Sequence, residues 1–291
     1  MRSADCQNCH NRIGWVGLFI SILIGAFTII IGILTNSKAL IAASLCSGID
    51  VATALTVLLG LKYSGKPIDL EHPYGHGKVE FIVVSGISIL LMVSAGILLF
   101  HSARSIFQHE PGPEHLMTLA VAVVAATATE IKYRYAKCVG RQFNSPAILS
   151  HAEHARVDVI SFAAVGVGVV CARIGIHFVD PLIAIFEIVH IFRASYKMLK
   201  ESIKGLMDVS LPETKTVDIK KMVAEVKGVR GINYLFARQL GQHIWIELSI
   251  FIDPDITIWE GKTIAQRVRT NILDNLNHVG NVQVQFLPKA A

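Results

Sequence analysis

The stretch HAEHARVD, residues 151–158, places His154 and Asp158 four positions apart at the mouth of the apolar run VISFAAVGVGVVCA. At 3.6 residues per turn, such a pair lies about 40° apart around a helix, so both side chains point the same way. Ionisable groups inside a membrane span are costly and mark ion paths. Cys46 and Asp50 repeat the same spacing in a second apolar segment. If the two pairs face each other, they offer oxygen, nitrogen and sulfur ligands to a tetrahedral divalent metal. The competing reading is that each polar group only pairs with a neighbouring helix. That is harder to sustain for two buried carboxylates at matched spacing. His151 shares the face of His154 and is either an extra ligand or a residue of the aqueous boundary.

A second cluster lies in PIDLEHPYGHGKVE, residues 67–80, where Asp69, His72 and His76 share a short loop shaped by Pro73, Gly75 and Gly77. Spacing leaves two readings open: a second metal site, or a turn whose polar groups cap the next helix. Cys6 and Cys9 precede His10 in a CxxCH pattern, the form of a haem attachment site, which needs an exported segment. Here the segment reads as cytoplasmic, which leaves a thiol pair with a redox, metal-delivery or structural role. Glu130, Glu187 and His190 also fall in apolar segments, with no specific role assigned.

These residues need helices to hold them. Of the 291 residues, 52% are hydrophobic and 17% charged, against roughly 25% charged in a soluble domain. The deficit falls in residues 13–200, and the remainder has ordinary charge density. Six apolar segments are expected, at 14–34, 38–61, 79–103, 115–136, 148–173 and 180–200. The first and third are free of acid across their centres, and the other four carry ionisable groups, as lipid-facing and interior-lining helices would. Arg2 and Arg12, then Lys62, Lys66 and Lys78, then Lys132, Arg134, Lys137 and Arg141, then Lys197, Lys200 and Lys204 all fall on one side. Lys38, Arg104 and Arg173 fall on the other. The bias puts both termini in the cytoplasm. The start, MRSADCQNCHNR, does not read as a cleavable signal peptide. Five scattered cysteines argue against a disulfide framework and for a reducing compartment. The net charge of +5 gathers at helix ends and is not a nucleic-acid signature. The tail alternates as α-β-β-α-β, two helices on one sheet. The expected domains are an N-terminal segment at 1–13, a six-helix all-α transmembrane domain at 14–206, and a cytosolic α+β domain at 207–291.

The two helix pairs, the HPYGHGK loop and the plan of six spans plus tail resemble the cation diffusion facilitator family of divalent-metal/proton antiporters. The likeness covers nearly the whole chain and is greatest to the magnetosome, MamM-like type. It is carried by RIGWVGL, EHPYGHGKVEFI, NSPAI, GLMD, KGVRGI, ARQLGQHIW and NHVG. The resemblance implies a transporter, not an enzyme, with Cys46, Asp50, His154 and Asp158 as its transport site. Cys46 departs from the pattern, since many relatives carry His or Asp there and the magnetosome type Tyr. A thiol favours Zn²⁺ or Fe²⁺ over Mn²⁺, or it stays protonated and binds nothing. The resemblance further implies a metal site at Asp69, His72 and His76 between membrane domain and tail. It also implies a dimer-pinning charge pair of Lys78 and Asp208, and a metallochaperone-like dimer tail. Trp245, Glu247 and His278 match the metal-binding positions of that tail, while Lys262 stands where a His is expected, and Trp245 serves equally as a packing aromatic. The implied protein sits in a bacterial inner or magnetosome membrane, as a homodimer or beside a paralogue. The alternative function is a non-transporting metal-sensing scaffold that stabilises a paralogous transporter, and a third is a thiol-redox membrane enzyme using Cys6 and Cys9.

Overall fold

The computed structural model describes residues 4–34, 38–108, 116–174 and 179–289. Six helices come first: α1 (Ala4–Leu34), α2 (Lys38–Ser64), α3 (Val79–Gln108), α4 (Leu116–Phe143), α5 (Pro146–Arg173) and α6 (Val179–Leu206). Among the described residues, Ile13–Ile31, Val79–Ile97 and Pro146–Cys171 are long and apolar enough to cross a membrane. The chain divides into two compact units between Ile203 and Lys204, each with its own core.

In the first unit, α4 and α5 form the most extensive helix pair, followed by α1 and α2. Ala136, Val139 and Phe143 recur at helical spacing on α4 and bury against Ile148 and Ala152 of α5. That apolar stripe carries α4 through the stretch expected to be a connection. Lys137 and Arg141, beyond the expected end at 136, therefore stand on the same helix as Lys132 and Arg134. Small residues set the closest approaches, as expected where apolar lipid gives helices little reason to associate. A Cβ on Gly60 would fall 2.3 Å from Val83 Cγ2, and one on Gly140 would fall 2.9 Å from Leu149 Cδ2. Buried hydroxyls on the helices are satisfied by carbonyls one turn back, such as Thr28 to Ile24 at 2.9 Å and Ser88 to Val84 at 2.7 Å.

The start of α5 fixes the position of the HAEHARVD stretch. Ser145 accepts from the Ile148 N–H at 3.4 Å as an N-cap, and Pro146 takes the first helical position, where its missing N–H costs nothing. These two residues begin the helix two positions earlier than hydrophobicity alone implies. Fully buried Glu80, from the first turn of α3, completes the cap. Its Oε2 accepts from the Ser145 hydroxyl and from the Ala147 N–H at 3.4 Å. Its Oε1 accepts from the Ser64 hydroxyl, at the end of α2, at 3.1 Å.

The second unit contains α7 (Glu213–Ala224), β1 (Gly231–Leu240), β2 (His243–Ile252), α8 (Ile258–Asn275) and β3 (Val279–Pro288), the α-β-β-α-β order expected. The sheet order is β1-β2-β3, with β1 antiparallel and β3 parallel to the central β2. A tight turn at Gly241, φ +60°, joins β1 to β2, and α8 supplies the crossover that a parallel neighbour requires. Ile244, Ile246, Leu248, Ile250 and Ile252 alternate onto the buried face of β2. Ile219 and Val223 of α7 and Val268 and Ile272 of α8 cover that face. Thr257 and Glu260 close a capping box at the start of α8: Thr257 Oγ1 accepts from the Glu260 N–H at 3.2 Å, and Glu260 Oε2 accepts from the Thr257 N–H at 2.8 Å. The Thr257 N–H and the Thr257 hydroxyl, donating to Oε2 at 2.8 and 2.9 Å, hold the Glu260 carboxyl below its ordinary range. Thr257→Ala is expected to lower the stability of this unit by about 1 kcal/mol, read from urea unfolding of the full chain by the Trp245 and Trp259 fluorescence.

Candidate metal centre

Helix α2 contributes Asp50 and helix α5 contributes His154 and Asp158 to one cluster, whose ligand atoms all lie within 4.8 Å of one another. His154 Nε2 is 3.0 Å from Asp50 Oδ1, and His154 Nδ1 is 3.5 Å from Asp158 Oδ1. The imidazole is 3% exposed, while both carboxylates are 15% exposed, so the cluster is recessed, and Asp158 Oδ2 is fully buried. Neither ring nitrogen of His154 makes a well-aligned hydrogen bond, although each is close to a carboxylate oxygen. A cluster of two carboxylates and an imidazole at these distances could hold a metal ion. Cys46 belongs to the same helix as Asp50, but its side chain lies outside the described residues, as do those of Cys6, Cys9 and Glu187.

Lys132 is the residue that sequence reading did not connect with this site. It is 3% exposed, and its Nζ lies 4.0 Å from Asp158 Oδ2 and 3.3 Å from Ser21 Oγ on α1. The missed signal is periodicity: Lys132 is four positions before Ala136, on the same buried stripe of α4. His151 is also buried, and its Nε2 would be 2.8 Å from a Cβ on Gly17, so the small residue lets α1 close over it. Glu130 instead pairs along its own helix with Arg134 at 2.6 Å, and His190 stacks on Phe186 with centroids 6.0 Å apart.

The loop before α3 forms a second, more exposed cluster. Asp69 Oδ1 is 3.3 Å from His72 Nδ1, and Asp69 Oδ2 is 3.4 Å from His76 Nε2. The two imidazole centroids lie 4.4 Å apart. Gly75, at φ +85°, turns the chain and donates its N–H to the His72 carbonyl at 3.0 Å. The His72 backbone N–H, donating to Asp69 at 2.6 Å, holds the Asp69 carboxyl below its ordinary range. That carboxylate therefore stays ionised at any pH above the usual carboxylate range. Its contribution to loop order is lost only as pH falls through the lowered value.

In the tail, Trp245 and Glu247 alternate onto the face of β2 opposite its buried one. Glu247 Oε1 lies 3.4 Å from Arg238 Nη2, and Arg238 Nη1 lies 3.2 Å from Asp208 Oδ2. Trp245 sits against Gly280, where a Cβ would be 3.2 Å from its Nε1. His278, at φ 65°, leads into β3 and accepts the Ile244 N–H on its carbonyl at 2.7 Å. Lys262 places its Nζ 5.6 Å above the Trp259 ring. Lys78 lies at the turn into α3, and its carbonyl accepts the Phe81 and Ile82 N–H groups at 3.0 and 3.2 Å.

Comparison with known proteins matches both units to one family. The model described as cation efflux transmembrane domain matches residues 14–207, and that described as cation efflux protein, cytoplasmic domain, matches residues 211–289. Magnetosome protein MamM of Magnetospirillum gryphiswaldense is 32% identical over 286 residues, 98% of this chain and 90% of the relative. Magnetosome protein MamB of Magnetospira sp. is 31% identical over 288 residues, 99% of this chain and 98% of the relative. Manganese efflux system protein MneP of Bacillus subtilis is 26% identical over 293 residues, 98% of each chain. A solved cadmium form of a MamM C-terminal domain variant is 28% identical and covers 27% of this chain and 98% of that one, at a TM-score of 0.26. The chain belongs to the cation efflux family, the cation diffusion facilitators, which are membrane transporters of metal cations and not enzymes.

Proposed function

We propose that this transporter exports a divalent metal from the cytoplasm in exchange for protons, with Asp50, His154, Asp158 and Cys46 as its transport site. The observation that carries the reading is the convergence of Asp50, His154 and Asp158 across two helices within 4.8 Å. Ligands must be deprotonated to coordinate, so metal and protons compete for the same atoms. Facing the near-neutral cytoplasm, the site loads metal. Facing a more acidic compartment, protons displace it, and the helices alternate between the two openings around the site. Both termini are assigned to the cytoplasm by the Lys and Arg bias of the sequence. Similarity to proteins described as magnetosome proteins supports a magnetosome vesicle as the destination, and the resemblance to the magnetosome type makes Fe²⁺ the first candidate ion. Zn²⁺ and Mn²⁺ are the alternatives, the second supported by the likeness to a manganese efflux protein.

The tail is assigned to homodimer formation, with Lys78 and Asp208 as a dimer charge pair and Trp245, Glu247 and His278 as a regulatory metal site. A second reading, a metal-sensing scaffold beside a paralogous transporter, is favoured by one observation: Magnetospirillum gryphiswaldense holds both a MamM and a MamB relative of this chain. Metal uptake by proteoliposomes under a pH gradient separates the two, since a scaffold alone moves no ion. Asp69, His72 and His76 are assigned to a second, loop metal site. In equilibrium dialysis with Zn²⁺ at pH 7, Asp69→Asn combined with His76→Ala is expected to remove one bound ion per chain. An unchanged stoichiometry would leave the loop as a turn that caps α3.

A further inference from the structure

Lys132 is a buried ammonium beside the transport site that the proposed exchange does not use. Burying such a charge is expensive unless it is paired and hydrogen-bonded. Two groups meet that need: Asp158 Oδ2 at 4.0 Å and the Ser21 hydroxyl at 3.3 Å. Asp158 is thereby divided. One oxygen faces Lys132 on α4, and the other faces His154 Nδ1 at 3.5 Å, while His154 Nε2 faces Asp50. A divalent ion held by Asp50, His154 and Asp158 would share the Asp158 carboxylate with a fixed positive charge, and the two cations repel.

We propose that Lys132 is a tethered counter-ion of the transport site: its ammonium, held by the Ser21 hydroxyl at 3.3 Å, compensates Asp158 at 4.0 Å and competes with an arriving divalent ion for that carboxylate. The inference rests on reading Asp50, His154 and Asp158 as that site. A cation bound covalently to α4 cannot diffuse away, so it compensates one carboxylate charge through every cycle without being transported. It lowers the affinity for the incoming metal and, for the same reason, speeds release. Lys132 is a positioning residue on this view, since it acts on the ion through Asp158 and coordinates nothing itself.

The test is Mn²⁺ binding to the purified full chain in nanodiscs, paired with Mn²⁺ uptake by proteoliposomes. Lys132→Met is expected to tighten Mn²⁺ binding by at least about tenfold, lower KM in step, and reduce kcat because release slows. Lys132→Arg, which keeps the charge, should stay within about threefold of wild type. Ser21→Ala removes the hydroxyl that holds the ammonium back from Asp158 and should weaken binding by about threefold, the opposite sign. If Lys132→Met fails to fold, Ser21→Ala decides alone: unchanged or tighter binding overturns the proposal. Unchanged or weaker binding in folded Lys132→Met also overturns it. Asp158→Asn keeps the two failures apart. If it loses Mn²⁺ binding while Lys132→Met has no effect, the transport site stands and the counter-ion role falls. If it binds Mn²⁺ as wild type does, the transport-site reading falls, and the counter-ion role with it.

Discussion

Asp50→Ala and Asp158→Ala, each made alone, are expected to reduce divalent-metal flux into proteoliposomes by at least about a hundredfold. Groups that only orient a metal's ligands already contribute 10- to 100-fold to affinity, so losing a ligand itself costs more. Each substitution removes a carboxylate that is 3.0 or 3.5 Å from the His154 ring. The two differ in one respect. Asp158 also faces the buried Lys132, so Asp158→Ala leaves an ammonium without its carboxylate inside the helix bundle. Removing one member of a buried ion pair costs about 3–5 kcal/mol. Asp158→Ala should therefore lose stability as well as flux, while Asp50→Ala should lose mainly flux. Thermal unfolding in detergent measures the first effect, and a metal-sensitive dye inside the vesicles measures the second. Wild-type flux from either variant would remove the metal centre from the transport path.

Glu80→Ala is expected to be the most destabilising single change outside the metal centre, by about 3 kcal/mol, with an apparent unfolding temperature lower by about 10 °C. The carboxylate is fully buried and joins three elements: α3, which carries it; Ser64 at the end of α2; and Ser145 with Ala147 at the start of α5. Its negative charge also lies at the N-terminal end of α5, where the helix dipole favours an anion. Alanine leaves two hydroxyls and a backbone N–H without that acceptor in an apolar setting. The effect should reach the metal. His154 and Asp158 lie two to three turns along the same helix, so a shifted start moves both relative to Asp50 on α2. A fall in Mn²⁺ affinity is therefore expected alongside the fall in stability. Glu80→Gln, which retains one carbonyl acceptor, should lose less of each. Stability equal to wild type in Glu80→Ala would mean that Ser145 and Pro146 alone hold the helix start.

Much of the fold was legible because its signals are local. The tail shows alternation in HIWIELSIFI, helical spacing in α8 and a glycine turn between strands, and the structure follows them closely. The membrane unit was legible in its apolar runs and less so at their ends. α4 runs on to Phe143 because Arg134, Lys137 and Arg141 lie off the stripe that Ala136, Val139 and Phe143 bury, whereas Lys132 lies on it. Reading Lys132, Arg134, Lys137 and Arg141 only for which side of the membrane they mark hid that stripe, and Lys132 with it. A lysine in sequence carries no sign of whether it will be solvated or buried, and only the neighbouring helix supplies the carboxylate that makes burial tolerable.

The sequence by itself determined the candidate ligand types and the spacing of each pair along its helix. Positions four apart share a face by the pitch of the backbone, wherever the helix packs. It likewise determined the turn that brings Asp69, His72 and His76 together, since Gly75 and the prolines act over a few residues. The tertiary structure alone decided that Asp50 meets His154 at 3.0 Å, that Glu80 anchors the helix carrying it, and that Lys132 enters the site from a third helix. Those distances depend on how closely α2, α4 and α5 approach. That approach is set by glycines and buried polar contacts far apart in the chain, and no local spacing encodes it.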